Sequence, residues 1–316
     1  MKTIYNGTPD SRLYKNVLGE LIAELLENDP KVCYLDADLM SCIGTAKLPK
    51  KYDRAINCGI AEANMIGIAG GLSASGFKPI CHSFGPFASR RCYDQVFLSG
   101  GYAKNSITII GTDPGITAAF NGGTHMPFED VAIYRAIPGA TIVDVTDVTM
   151  LKRFLYMAKD MPGVKFLRLG RKVSYPVYPE DTEFVVGKGF VLREGTDVTI
   201  VATGIMVHEA MQAALKLEAE GISAAVIDPF TVKPLDAELI RTYAAKTGCV
   251  VTAENHNKIG GLYSAVKEVL DGEAKTGYVA IEDEFGEVGP QDYLRQRFDL
   301  TDDHIVRVVR ETLAKK

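Results

Sequence analysis

The sequence lacks most of the signals that would assign a protein to a specialised class. Only six of its 316 residues are cysteine. Cys33, Cys42, Cys58, Cys81, Cys92 and Cys249 never form a Cys-x-x-Cys pair and mostly lie among apolar or small residues. That spacing speaks against a zinc site or a disulfide frame and for reduced, partly buried thiols. There is no basic excess either: 35 Lys and Arg against 40 Asp and Glu leave a net charge of −5, where a nucleic-acid surface would show a basic stripe. The Lys315-Lys316 end is too short to supply one. No apolar run approaches the ~20 residues that span a membrane. The segment Met1 to Thr8 lacks the apolar centre of a signal peptide, so the expectation is a cytoplasmic protein. Gly260-Gly261 is not followed by the spacing of a G-x-G-x-x-G fingerprint, which removes a dinucleotide reading.

What is present is an ordinary globular composition, 47% hydrophobic and 24% charged, at a length suited to two domains. Strand and helix patterns alternate. Arg12 to Glu27 reads as an amphipathic helix with Leu18, Leu21, Ile22 and Leu25 on one face, stopped by Asn28-Asp29-Pro30. Short apolar runs at 31–35, 53–58, 78–81, 106–110, 140–143 and 164–167 read as strands. The stretch Gly170 to Asp181, with Pro176 and Pro179, breaks the pattern and reads as a linker. Strands at 198–202, 224–227, 249–252 and 279–281 then alternate with helices at 208–220, 236–246 and 262–270. This predicts an α/β protein of two domains, 1–180 and 181–316, each a doubly wound, mostly parallel sheet.

Glu62 stands out within Gly59-Ile60-Ala61-Glu62-Ala63-Asn64-Met65-Ile66-Gly67. Ile66, Ile68, Ala69 and Leu72 form a helical stripe behind it, so the carboxylate falls at a helix start just past a strand end. Open α/β sheets build small-molecule sites there, although a helix-capping Glu would occupy the same position. Phe84 and Phe87, three apart, could wall a planar ring or simply fill core. His125 closes the Gly122-Gly123-Thr124-His125 loop, which looks too flexible to be chosen for packing and so suggests a binding role.

Taken in order, Glu62, the Ser83-Phe84-Gly85-Pro86-Phe87 segment and the Gly-rich loop ending at His125 resemble the pyrimidine-binding half of the transketolase family. Thr252-Ala253-Glu254-Asn255-His256 and Ile259-Gly260-Gly261-Leu262 resemble its C-terminal domain. The resemblance implies thiamine diphosphate as cofactor and two-carbon ketol transfer from a ketose, phosphorylated or otherwise anionic, to an aldose. It gives Glu62 the role of sharing a proton with the cofactor's aminopyrimidine ring. It gives Phe84 and Phe87 the pocket walls, Asp38 a place near the cofactor, and His125 contact with the sugar beside the thiazolium. Arg12, Arg168 and Ser41 match positions that grip the sugar's phosphate. His256 falls in the C-terminal domain, away from the cofactor, and reads as structural.

The family's Gly-Asp-Gly stretch, which helps hold a divalent metal (Mg or Ca) and the diphosphate, is missing; Asp271-Gly272-Glu273 is the nearest approach. The resemblance is therefore to the C-terminal subunit of a split transketolase, acting with a separate diphosphate-binding subunit in an α2β2 assembly. Two residues depart from the pattern. Asp113 stands where a phosphate-contacting histidine is usual, and Asn121 where an aspartate faces a sugar hydroxyl. A carboxylate near a phosphate repels it, so an altered or modified sugar is expected. Alternatives are a deoxyxylulose-phosphate-synthase-like subunit, suggested by Arg91-Cys92-Tyr93-Asp94-Gln95, a 2-oxo-acid dehydrogenase β-like subunit, or a non-catalytic assembly subunit.

Overall fold

The computed structural model describes residues 3–316. Twelve strands form two sheets: β1 (Val32–Asp36), β2 (Ala55–Asn57), β3 (Lys78–Phe84), β4 (Ile107–Thr112), β5 (Thr141–Asp144), β6 (Val164–Leu169), β7 (Phe190–Arg193), β8 (Val198–Ala202), β9 (Ala224–Asp228), β10 (Thr231–Lys233), β11 (Cys249–Asn257) and β12 (Lys275–Ile281). The first sheet has the order β10-β5-β6-β4-β3-β1-β2, the second β12-β11-β8-β9-β7. Every pairing is parallel except at two edges, where β10 runs antiparallel to β5 and β7 antiparallel to β9. Both sheets are thus α/β and mostly parallel, flanked by helices.

Burial explains why these strands do not alternate. In β1, β4, β5, β6, β8 and β9 every residue is buried, because helices cover both faces of a parallel sheet. Three of the helices begin where a short polar side chain takes up a free amide. Asp147 caps Val148–Ala158 through Met150, Asp236 caps Ala237–Thr247 through Leu239, and Thr301 caps Asp302–Leu313 through His304.

The six cysteines are all unpaired, and four are buried. Burial, helped by the nearby Glu62 charge, pushes the Cys92 thiol up to about 12, so it packs as a small apolar group. No helix among the described residues is long and apolar enough to cross a membrane. One strand departs from a simple two-halves plan: β10 lies beyond residue 180 yet completes the edge of the first sheet against β5.

The carboxyl ends of β1, β2, β3, β4 and β6 all emerge on one edge of the first sheet. There Asp38, Glu62, Phe84, Asp113 and Arg171 follow within a few residues of their strands. Below them, His82 Nδ1 meets Asp36 Oδ2 at 2.7 Å and Nε2 meets Thr112 Oγ1 at 3.1 Å, while the Tyr34 hydroxyl donates to Asp36. This fully buried network ties β1, β3 and β4 together under the edge and fixes what they present.

Candidate active site

Glu62 opens the helix Glu62–Ala74, but its carboxylate does not cap it; no side chain does. The group turns inward instead and is 1% exposed. Ser83 Oγ–H donates to Oε1 at 2.8 Å, and Arg91 Nη1 donates to both oxygens at 3.1 and 2.9 Å. The Arg91 guanidinium also lies across the Phe87 ring, 3.9 Å from its centroid. The capping reading of Glu62 is therefore set aside, because the buried carboxylate is held by Ser83 and Arg91 and not by helix amides.

Phe84, Phe87 and His125 form one aromatic group. Ring centroids are 6.4 Å apart for Phe84–Phe87, 6.0 Å for Phe84–His125 and 5.1 Å for Phe87–His125, with tilted or edge-on planes. The tilted and edge-on rings do not stack on one another, and Arg91 lies over one face of Phe87 and Arg171 over one face of Phe84. Thr124 Oγ1 meets His125 Nδ1 at 2.9 Å, which steadies the imidazole. The loop bearing it is packed, contrary to the flexibility its glycines suggest. A Cβ on Gly123 would lie 2.1 Å from the Gly286 carbonyl, and one on Gly122 2.7 Å from Val288. Here glycine permits close approach of the second domain.

Residues 11–175 match the transketolase pyrimidine-binding domain, and residues 187–305 match the transketolase C-terminal domain. The chain belongs to the transketolase family. It is 46% identical over 300 residues to the 6-deoxy-6-sulfo-D-fructose transketolase subunit SqwH of Clostridium sp. (strain MSTE9), covering 94% of this chain and 93% of that one. An apulose-4-phosphate transketolase subunit of Phocaeicola vulgatus is 34% identical over 253 residues, covering 79% and 81%. A solved split-gene transketolase, an inactive β4 tetramer, superposes with a TM-score of 0.86 at 38% identity, over 94% of this chain and 97% of that one.

Within this transketolase fold, the remaining expected residues divide. Asp113 and Asn121 share the loop of His125, but their settings differ. Asn121 is exposed. Asp113 is buried and paired, its Oδ2 receiving Arg171 Nε at 2.7 Å and Nη2 at 2.5 Å. The bare carboxylate expected to repel a phosphate is thus corrected: Asp113 arrives with its charge matched by Arg171. That guanidinium also lies 4.8 Å from the Phe84 ring centroid. Ser41 is exposed in the short 3₁₀ segment Met40–Ile43, whose Cys42 is near enough to Arg171 to interact with its charge. Asp38 follows β1 with φ 66° and accepts from Asn57 Nδ2 at 2.9 Å, bridging the ends of β1 and β2 and making no contact with the rings.

Two arginines are corrected. Arg168 is 1% exposed, and its guanidinium is consumed by Asp130 (2.8 Å), Asp144 (2.8 Å) and the Asn255 carbonyl (2.9 Å). With Nε, Nη1 and Nη2 each engaged and the side chain buried, Arg168 is held inside the protein, whereas Arg171 lies just past the end of β6 and pairs with Asp113. Arg12 is exposed and folds back on Asp10 through Nε at 3.0 Å and Nη2 at 2.8 Å. That pairing holds the Asp10 carboxyl below its usual range. The two lie in a separate cavity lined by Asp147, Thr149 and Glu180, and Arg12 is not brought to the Glu62 group.

His256 fits its structural reading. It is fully buried, lowered to about 4 by burial, and its Nδ1 meets the Asn257 carbonyl at 2.7 Å. Glu254 beside it accepts the amides of Leu262 and Tyr263 at the start of Leu262–Leu270, and burial pushes it up to about 7.

Sequence reasoning missed Ser83, Arg91, Arg171 and Asn255. Arg91, Ser83 and Asn255 lay inside motifs already singled out; for the first two the available signal was that a buried Glu needs donors nearby.

Proposed function

We propose that this chain is the pyrimidine-binding and C-terminal subunit of a split transketolase, moving a two-carbon ketol unit from an anionic ketose to an aldose. The C2–C3 bond of the ketose breaks, and a carbon–carbon bond forms at the acceptor's carbonyl carbon. One observation carries the reading: a buried carboxylate, Glu62, beside the Phe84–Phe87–His125 ring group on the carboxyl edge of the first sheet.

The donor set fits thiamine diphosphate. A carboxylate that can share a proton with a ring nitrogen lies next to two phenyl rings suited to hold a flat heterocycle. When bound, the cofactor supplies an acidic thiazolium carbon and stabilises the carbanion made from it. Glu62 would hold or release a proton at one carboxylate oxygen, with Ser83 keeping the other in place. Phe84 and Phe87 would keep water from the ring, and His125 would orient the sugar's oxygens. Arg171, fixed by Asp113, would meet the anionic end; a planar guanidinium suits a phosphate or a sulfonate. The diphosphate and its divalent metal, Mg or Ca, fall to a Gly-Asp-Gly-bearing subunit, in a cytoplasmic α2β2 assembly.

The chain alone should therefore transfer no ketol unit and should bind thiamine diphosphate more weakly than micromolar. Activity should appear on adding the Gly-Asp-Gly subunit, assayed with xylulose 5-phosphate, fructose 6-phosphate and 6-deoxy-6-sulfo-D-fructose as donors. Micromolar binding of cofactor to the chain alone, by calorimetry, would refute the division of labour.

The Asp113–Arg171 pair gives a specificity prediction. Asp113→His removes a carboxylate and leaves the Arg171 charge unmatched, which favours a doubly charged phosphate and should outweigh the loss of the contact that fixes Arg171. Turnover of xylulose 5-phosphate should rise about 10-fold in kcat/KM, equivalent to about 1.4 kcal/mol. Unchanged kcat/KM would show that the pair does not choose the donor.

A further inference from the structure

The substrate loop is gripped from the other domain. Asn255, near the end of β11 and 2% exposed, reaches across to it. Its Oδ1 accepts the Ile116 amide at 3.0 Å, and its Nδ2–H donates to the Pro114 carbonyl at 2.9 Å. Gly115 between them has φ 52°, and a Cβ there would lie 2.1 Å from the Asn255 Oδ1. Only glycine allows this approach. Asn255 is itself fixed, because Arg168 donates to its main-chain carbonyl at 2.9 Å.

The grip acts next to the chemistry. Asp113, which carries Arg171, directly precedes Pro114, and its φ is 59°; further along, Ala119 has φ 50°. Non-glycine residues persist in that left-handed region only where their surroundings over-determine them. The amide of Asn255 supplies such a constraint in the middle of the loop.

We infer that Asn255 is a positioning residue for ketol transfer, clamping the Pro114–Ile116 backbone so that Asp113–Arg171 and His125 stand where the sugar arrives. It touches neither sugar nor cofactor. Glu62 is held separately, by Ser83 and Arg91 of the first domain, so the two halves of the site should respond independently. The catalytic part of this inference rests on the transketolase reading; the clamp itself does not.

Amide hydrogen exchange on the full chain tests the clamp alone. Asn255→Ala should speed exchange across residues 113–125 by about 10-fold or more and leave β3 and Glu62–Ala74 unchanged. Gly115→Ala, approaching from the loop side, should give the same pattern. If the alanine variant fails to fold, Asn255→Asp keeps the acceptor for Ile116, loses the donor to Pro114, and should loosen the loop less. Unchanged exchange at 113–125 in the folded variants would overturn the inference.

In the complex with the diphosphate-binding subunit, Asn255→Ala should lower kcat/KM by about 10- to 100-fold, chiefly through the sugar's KM, since small misplacements of binding groups cost that much. Exchange of the thiazolium C–H should stay at the wild-type rate. Loss of both in parallel would make Asn255 a general structural residue and overturn the positioning role. A wild-type complex without ketol transfer would refute the transketolase reading, while the amide exchange result would still decide the clamp.

Discussion

Glu62→Gln should slow thiazolium C–H exchange in the reconstituted complex by about 10²- to 10⁴-fold, the usual worth of a positioned proton-transfer group. Glutamine keeps the length of the side chain and an oxygen for the Ser83 hydroxyl, but it cannot give up and regain a proton. Folding should be nearly normal. The substitution strips Arg91 of its anion, yet that side chain is 43% exposed and water can replace the lost partner. A pair so exposed on one side contributes about 1 kcal/mol or less, so the melting curve should barely move. Assembly should be unaffected, because diphosphate contacts are assigned to the other subunit. Equal exchange rates in wild type and variant would leave Glu62 as a structural ion-pair partner of Arg91 and nothing more.

Arg168→Leu should destabilise the full chain by about 3–5 kcal/mol, the cost of leaving buried charges without their partner. Asp130 and Asp144 both face Arg168 at 2.8 Å, with side chains 0% and 5% exposed, and neither can reach water once the guanidinium is gone. Urea unfolding of the chain by itself measures this, and a loss below about 1 kcal/mol would show that the carboxylates find other partners. The pH dependence has a definite sign. Burial already raises Asp144 in the native protein. A carboxyl whose folded pKa exceeds its unfolded value adds stability below the unfolded value, about 3.8 here, and loses it as pH rises through the folded one. Arg168 holds the Asp144 carboxyl down against burial, so without it that carboxyl moves further up, and the deficit of the variant should grow as pH rises above the ordinary carboxyl range.

The sequence made Glu62, Phe84 and Phe87 legible because each lies at or within a few residues of a strand end, and strand ends follow from short apolar runs; His125, well past the end of β4, was legible only through its Gly-rich loop. The two arginines of Leu167-Arg168-Leu169-Gly170-Arg171 were a different problem. Which one leaves the sheet depends on where β6 stops. It runs to Leu169, two residues beyond the apolar stretch, so Arg168 stays inside the sheet and Arg171 emerges. Asp113 looked like an unmatched charge because its partner is 58 residues away, and pairing at that range leaves no local signature. Asn255 was hidden for a similar reason: β11 continues to Asn257, past the expected end at Thr252, and carries that side chain to the other domain. The strands Phe190–Arg193 and Thr231–Lys233 are too short for a periodic signal. The helix Asp302–Leu313 was readable and was passed over; Ile305, Val308, Val309 and Thr312 follow the 3.6-residue period behind the Thr301 cap.

The Thr231–Lys233 strand bears on how a gene for this chain could be divided. By entering the first sheet beside β5, it makes the downstream half supply an edge that the upstream half needs. A cut in the proline-bearing stretch before β7 would leave β5 with an open edge of unpaired backbone, the usual template for aggregation. Fission that yields a free pyrimidine-binding piece is therefore disfavoured. The two halves should be made together, and residues 1–180 produced alone should be poorly soluble.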